Sequence, residues 1–185
     1  MKTRLTFTLI AIAALTLGFW AQSDGQSPFT VAQVATTFVD LETQSSARNA
    51  IKSGIERYGG TLDIAVSDFT DTALQFVLIR LSNDRPIRLL LGRGGVDPEA
   101  ETEACDQLNE LFEVRLVDQL NHRFAVVDGR SVVTSAVDWT NDALSSKAQA
   151  VIEIDSMPVA DAYTQQFNAL WQTASGTCSN RLDLP

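Results

Sequence analysis

The chain has 185 residues, of which 45% are hydrophobic and 20% charged, and these proportions are typical of one globular domain. The formal net charge of -9 argues against a broad nucleic-acid or anionic-lipid surface, because such surfaces need clustered Lys and Arg. One His and two Cys are too few for a structural zinc site with four ligands, and we expect neither a metal nor another cofactor.

The N-terminus has the pattern of an export signal. Lys2 and Arg4 precede an apolar run over residues 5–20, which is short for a membrane span of about 20 residues. Residues 1–21 are therefore predicted to be a signal peptide or an N-terminal anchor, since Phe19 is larger than the residue usually found before a cleavage site. The expected location is periplasmic or extracellular, with anchoring to the membrane by residues 5–20 as one form of it. A buried N-terminal helix is the alternative.

Export changes the interpretation of the two cysteines. Outside the cytoplasm, Cys105 and Cys178 are expected to form one disulfide that ties the C-terminal tail, residues 175–185, to the rest of the domain. Two unpaired thiols are the alternative.

The first half of the chain alternates helices and strands. A polar stretch opens residues 22–42, which we predict to be a linker. Apolar spacing, caps and Gly or Pro breaks then predict the following elements in order: helix 43–58, strand 62–66, helix 71–81, strand 87–91 and a helix that opens at 97–98. Between the last two, Gly92-Arg93-Gly94-Gly95 is either a flexible turn or a phosphate-binding loop.

The second half contains a hairpin and a closing helix. The predicted strands cover residues 112–117, 123–127, 131–134 and 151–154, and a helix begins at Pro158. The tight Asp128-Gly129 turn joins the second and third of them. Alternation in the first half indicates parallel strands with crossover helices, whereas the hairpin adds antiparallel pairs. We therefore predict an α/β fold with a mixed central β-sheet and helices on both of its faces.

Residues Asn121 to Thr140 resemble the signature of the phospholipase D superfamily. That signature is H-x-K-x4-D, followed after a short hairpin by G-S-x-N-W-[ST]. The resemblance extends to the stretches Ile64–Asp71, Pro86–Leu91, Val151–Ile154 and Phe167–Trp171. It implies a phospholipase D-like α/β/α sandwich over residues 43–174.

The resemblance also implies a mechanism and a partner. In this superfamily a His attacks phosphorus, Lys and Asn neutralise the phosphate oxygens, and a His from a second motif protonates the leaving group. A chain with one motif must obtain the second His from another chain. The resemblance therefore implies a homodimer, or pairing with another phospholipase D-like chain, with the site at the twofold axis.

The motif is degenerate in this sequence. Counting from Asp128, which is retained, the nucleophilic His position holds Asn121 and the Lys position holds Arg123. The Gly of the second half becomes Ser135, and the Asn becomes Asp138. An amide nitrogen has no useful nucleophilic lone pair, and a carboxylate opposes phosphate binding unless Arg123 neutralises it. We expect no intact catalytic set at these positions.

His122, the one His of the chain, is the alternative catalytic residue. Neighbouring residues of a strand point to opposite faces, so we expect its side chain to face away from Arg123.

Three functions remain open. The first is an exported, catalytically impaired phospholipase D-like domain that binds a phosphate-containing or other anionic ligand, or acts as a scaffold dimer. The second is a phosphodiesterase of phospholipase or nuclease type with residual or altered activity. The third is a structural envelope protein.

Overall fold

The computed structural model describes residues 33–39, 47–93, 98–145, 149–174 and 178. The predicted signal peptide or anchor lies outside these residues, as does the C-terminal tail apart from Cys178. In chain order the elements are β1 (Gln33–Val39), α1 (Ala47–Glu56), β2 (Leu62–Val66), α2 (Thr72–Leu81), β3 (Ile87–Gly92), α3 (Pro98–Asn109), β4 (Glu113–Val117), β5 (Arg123–Val127), β6 (Ser131–Ser135), α4 (Asn141–Ser145), β7 (Gln149–Asp155) and α5 (Met157–Thr173).

The strands form one mixed sheet in the order β1-β7-β6-β5-β2-β3-β4. Strands β2, β3 and β4 are parallel to one another, and every other pairing is antiparallel. The β5–β6 hairpin closes through Asp128 and Gly129, with φ angles of 55° and 61° and a hydrogen bond from the Arg130 amide to the Val127 carbonyl. Positive φ at both positions is what the Asp-Gly sequence favours in a tight turn, and the pairing of Val127 with Ser131 leaves three residues in the loop. The predicted mixed sheet is confirmed.

Hydrophobic cores lie on both faces of the sheet. Helices α1 to α4 pack on one face, where Ile51, Leu78 and Leu108 are almost completely buried. Helix α5 packs on the other face through Phe167 and Trp171. Residues of β5 alternate between the two cores, as the period of two of a β-strand requires. This arrangement confirms the predicted α/β fold with helices on both faces.

Two elements differ from the sequence prediction. Residues 33–39, which the sequence predicts as part of the linker 22–42, form strand β1 and pair antiparallel with β7. Their Val, Thr and Phe content suits a strand, but the pairing depends on a partner more than 100 positions away in the sequence. Helix α4 was not predicted, because its five residues are too few to show a helical period.

Cys105 and Cys178 form the predicted disulfide across a sequence separation of 73 residues. Both cysteines are buried in the core that contains α3, whereas Ala174, at the end of α5, packs against the opposite core. The disulfide therefore fixes Cys178 on the face of the sheet opposite to α5. Within the described ranges, no helix combines the length and hydropathy needed to cross a membrane.

Candidate functional site

The degenerate motif, apart from Asp128, lies where β5 begins, at the edge of the sheet where β2, β3 and β4 end. Arg123 opens β5 and stands opposite Val66, the last residue of β2. Ser135 closes the neighbouring strand β6 at the same edge. In sheets with parallel strands, the carboxyl ends of those strands form the usual binding crevice. Arg123 and Ser135 therefore lie at a position suited to a functional site.

The guanidinium of Arg123 is bound to the carboxylate of Asp138. Nη2 of Arg123 donates to Oδ2 of Asp138 at 3.0 Å, and Nε lies 2.9 Å from Oδ1 as an ion-pair contact. The side chains are 26% and 21% exposed, so water screens the pair only in part. The single cation that the motif supplies is thus neutralised within the chain.

Asn121 lies on the other side of the same guanidinium. Its Oδ1 accepts a hydrogen bond from Nη1 of Arg123 at 2.9 Å. The amide oxygen thus turns toward Arg123, and the nitrogen that remains cannot attack phosphorus because its lone pair is delocalised. At the nucleophile position this side chain can orient Arg123 but cannot replace an imidazole.

Ser135 and Trp139 hold the loop that carries Asp138. The hydroxyl of Ser135 donates to the Val137 carbonyl at 2.7 Å and accepts the indole N–H of Trp139 at 3.0 Å. Trp139 is completely buried, and its ring meets that of Phe69 edge to face. The two neighbours of Asp138, Val137 and Trp139, are therefore both held in place by the Ser135 hydroxyl.

The main chain of Trp139 joins this loop to the turn before α2. Its amide donates to the Asp68 carbonyl, and its carbonyl accepts from the amides of Thr70 and Asp71. Asp71 is itself buried and bound to Arg48, and this hydrogen bond is the main reason that the pKa of Arg48 is raised. The loop is consequently anchored to the core through α1 and α2.

His122 is not brought to Arg123. Its ring packs edge to face on Phe124 with 5.6 Å between centroids, and Phe124 meets Tyr163 of α5 in the same way at 4.9 Å. Phe124 belongs to the core on the α5 face of the sheet. The imidazole is half-buried on that face, as the alternation of side chains along a strand requires.

Asp128 is also remote from the other motif positions. It stands at the far end of β5, five residues beyond Arg123, which corresponds to about 17 Å along a strand. Its amide donates to the Thr61 carbonyl at 2.8 Å, and its carboxylate lies 3.6 Å from Nε of Arg130. Its place in the structure is that of a turn residue.

One arginine–aspartate pair at this edge was not predicted. Nε of Arg93, just after β3, lies 2.8 Å from Oδ1 of Asp118, just after β4. In the sequence, Arg93 belongs to the stretch 92–95, which is predicted to be either a flexible turn or a phosphate-binding loop. Residues 94 and 95 lie outside the residues that the structure describes. Only the parallel pairing of β3 with β4 brings the two residues together, so the sequence carried no local signal for the pair.

Among the described residues, no group of three or more His, Cys, Asp or Glu side chains is placed to hold a metal ion. The chemistry of the motif region is that of an ion pair, an amide and a hydrogen-bonded hydroxyl.

Comparison with known proteins identifies relatives of this domain. The family model described as "Cardiolipin synthase, PLD-like domain" matches residues 51–171, more than half of the chain. A mitochondrial cardiolipin hydrolase of Xenopus tropicalis is 38% identical over 53 residues, which cover 29% of this chain and 25% of that protein. The Danio rerio protein of the same name is 28% identical over 119 residues, covering 56% and 52%. The alignments thus span between a quarter and about half of the length of these relatives.

Solved structures share the fold. Nuc from Salmonella typhimurium, a phospholipase D family member, has a TM-score of 0.70 and 15% identity, with 78% of this chain and 97% of that chain covered. NucT from Helicobacter pylori has a TM-score of 0.65 and 14% identity, with 78% and 99% covered. At these identities the likeness shows the fold alone.

Proposed function

Because this chain belongs to the phospholipase D superfamily, we propose that it is an exported member that no longer cleaves phosphodiesters and acts as a scaffold dimer. The observation that carries this proposal is the amide of Asn121 at the nucleophile position, with its oxygen bound to Arg123. Covalent catalysis at phosphorus needs an attacking lone pair at that place, and an amide does not supply one.

The surroundings of Asn121 support loss of the reaction. The one imidazole of the chain, that of His122, packs on Phe124 on the α5 face. The hydroxyl of Ser135 is engaged in the loop by two hydrogen bonds. The side chains that a reaction would need are therefore changed in type or already in use.

Pairing with a second chain is part of the proposal. The motif occurs once, and superfamily sites combine two motifs, so a second copy or another phospholipase D-like chain would face this edge. Asn121 is exposed and Arg123 half-buried, which leaves the edge accessible to a partner. Sedimentation equilibrium of the full chain tests this step: we expect a dimer, and a monomer at all concentrations would contradict it.

Export is proposed on the pattern of residues 1–21, with the buried Cys105–Cys178 disulfide as support, because disulfides persist in oxidising compartments. Cell fractionation tests it, with thiol labelling of the denatured, unreduced protein as a second measure. We expect a periplasmic or extracellular chain with no free thiol. A cytoplasmic chain with two labelled cysteines would contradict export.

The test of lost catalysis is an assay of the full chain on a generic phosphodiester, on cardiolipin vesicles and on DNA. We expect no turnover above that of buffer. Turnover that disappears in His122→Ala would establish the alternative, a phosphodiesterase with altered chemistry. Retention of Arg123 and of Trp139-Thr140 keeps that alternative worth testing.

Two further roles carry less support. A receptor for a phosphate-containing ligand would need a free cation, whereas Arg123 is bound to Asp138. A structural envelope protein would fractionate with membranes, and like the proposed scaffold it would gain no thermal stability from phosphate or vanadate.

A further inference from the structure

We propose that Asp138 is a built-in carboxylate ligand of Arg123 that excludes phosphate and other oxyanions from this site. The inference deepens the proposed function and rests on it, since it takes the site to be free of catalysis. It makes Asp138 the specificity-determining residue of the site and gives Ser135 and Trp139 the task of positioning it.

The geometry of the pair is that of a bound anion. Nη2 of Arg123 donates to Oδ2 of Asp138 at 3.0 Å, Nε lies 2.9 Å from Oδ1 as an ion-pair contact, and Nη1 donates to the Asn121 amide oxygen. All three nitrogens of the guanidinium therefore have an oxygen neighbour on this chain. A guanidinium binds a phosphate through this same fork of N–H groups. An incoming oxyanion would compete with Asp138 for the Nε–Nη2 side of the guanidinium.

Tethering favours the internal carboxylate over a free anion. A group held on the same chain acts at an effective concentration of about millimolar or more, whereas a free anion also has to lose translational freedom. The hydrogen bonds of the Ser135 hydroxyl to the Val137 carbonyl and the Trp139 indole limit the movement of Asp138. This restriction strengthens Asp138 in its competition with a free anion for Arg123. A phosphate that entered beside the carboxylate would meet a like charge in a partly dehydrated place.

The decisive variant is Asp138→Asn, which keeps the shape of the side chain and removes its charge. The amide leaves Arg123 without a carboxylate and can itself donate to an oxyanion. Isothermal titration calorimetry of the full chain with inorganic phosphate at low salt measures the effect. We expect binding about 10- to 100-fold tighter than in the wild type, as the loss of one competing charge-assisted hydrogen bond predicts.

Asp142→Asn is the matched control. Asp142 is exposed in α4, four residues beyond Asp138, and the change removes the same charge from the same region. Equal tightening in both variants would assign the effect to net charge and overturn the proposal. Wild-type protein that binds phosphate as tightly as Asp138→Asn would overturn it as well. Phosphodiester turnover by the wild type would instead contradict the proposed function, so the two failures are distinguishable.

A second measurement keeps the proposal testable if Asp138→Asn does not fold. In the wild type, the Nε–H nuclear magnetic resonance signal of Arg123, assigned through Arg123→Lys, is expected to stay unmoved as phosphate is added. Movement of that signal at phosphate concentrations that leave the other arginine signals unchanged would overturn the proposal.

The positioning role of Ser135 has its own test. Ser135→Ala removes the hydroxyl that links Val137 to Trp139, so Asp138 should be held less firmly and phosphate should bind tighter than in the wild type. Ser135→Thr keeps a hydroxyl and is expected to restore exclusion. A threonine variant that binds phosphate like the alanine variant would contradict the positioning role.

Discussion

Asp71 binds Arg48 of α1 and caps α2 with the same carboxylate. Oδ2 lies 2.6 Å from Nη2 of Arg48, and Oδ1 accepts from the Leu74 amide at 2.9 Å. The Asp71 side chain is completely buried, whereas that of Arg48 is 26% exposed. Because the amide of Asp71 also donates to the Trp139 carbonyl, this residue connects two helices with the loop of the site.

We predict that Asp71→Ala destabilises the domain by about 2–4 kcal/mol, since it removes a helix cap and one partner of a largely buried ion pair. Urea denaturation measures the loss. Asp71→Asn retains an oxygen for the cap and should lose less stability than Asp71→Ala. The control is Asp84→Ala, at an exposed turn residue, which should change the free energy of unfolding by less than about 0.5 kcal/mol. Equal losses of stability in the two alanine variants would contradict the role of Asp71 as a helix cap and ion-pair partner.

Gly60 is packed against the hairpin turn of β5 and β6. A Cβ at this position would overlap the carboxylate of Asp128 and lie 3.0 Å from its Cβ, whereas a Cβ on Gly59 would meet nothing within 4 Å. The Asp128 carboxylate is partly exposed and can turn aside, so Gly60→Ala is expected to destabilise the domain by only about 1 kcal/mol, and Gly59→Ala to have little effect. Thermal denaturation of both variants measures the difference in stability between the same substitution at two neighbouring positions.

A second change tests the cause. Asp128→Gly removes the overlapping atoms, and glycine suits the positive φ of 55° at that position. It should recover most of the stability lost in Gly60→Ala. No recovery in the double variant would show that the overlap is not the source of the loss.

Much of the fold could be predicted from local pattern. The Asp128-Gly129 pair fixed the hairpin, because few residues accept positive φ at two successive positions. Strand β1 was not predicted because it forms by pairing with β7, and the local sequence does not encode that pairing. Helix α4 was not predicted because its five residues are too few to show a helical period. At its start, the Ala143 amide donates to Thr140 Oγ1 and the Leu144 amide donates to the Thr140 carbonyl.

The site was predictable where it depends on spacing along one hairpin. Alternation along β5 places His122 and Arg123 on opposite faces. Asp138 instead reaches Arg123 from the loop after β6, which Trp139 joins to the turn before α2. The pairing of Arg93 with Asp118 depends on two separate strands, so spacing did not reveal it. Asp128 belongs to the motif by sequence but lies at the far end of β5, because a strand extends in one direction.

Tyr58 should titrate at a higher pH than a free tyrosine. Its hydroxyl donates to Oδ2 of Asp155 at 2.8 Å, and this bond, followed by burial, raises the pKa of Tyr58 from its ordinary value of 10.0. The folded state thus favours the neutral phenol. Its contribution to stability is present below pH 10 and is lost as the pH rises through the raised pKa.

The measurement is phenolate absorbance in Tyr163→Phe, which leaves one tyrosine in the chain. Adding Asp155→Ala should move the titration of Tyr58 back toward its ordinary value, because the acceptor and the neighbouring negative charge are both removed. Asp161→Ala, at an exposed position of α5, should leave it unchanged. An unchanged titration in Asp155→Ala would contradict the role of that carboxylate.

The last prediction concerns recovery of catalysis. Asn121→His supplies an imidazole at the nucleophile position, and in a homodimer each copy would provide the second imidazole for the other. Asp138 would still hold Arg123, so the phosphate oxygens would lack their cation. We therefore expect the activity of Asn121→His alone to stay near the wild-type level. Asn121→His/Asp138→Asn should hydrolyse a generic phosphodiester at least about 100-fold faster than Asn121→His, which is the usual effect of one oxyanion-stabilising contact.

The control for this gain is Asn121→His/Asp142→Asn, which has the same net charge but leaves the Arg123–Asp138 pair intact. It should behave like Asn121→His alone. If the single Asn121→His variant were as active as the double variant with Asp138→Asn, the carboxylate would not be the obstacle. Activity that rises in the double variant and falls on dilution below the dimer dissociation constant would tie recovery both to the freed guanidinium and to the second copy, because neither imidazole can act alone.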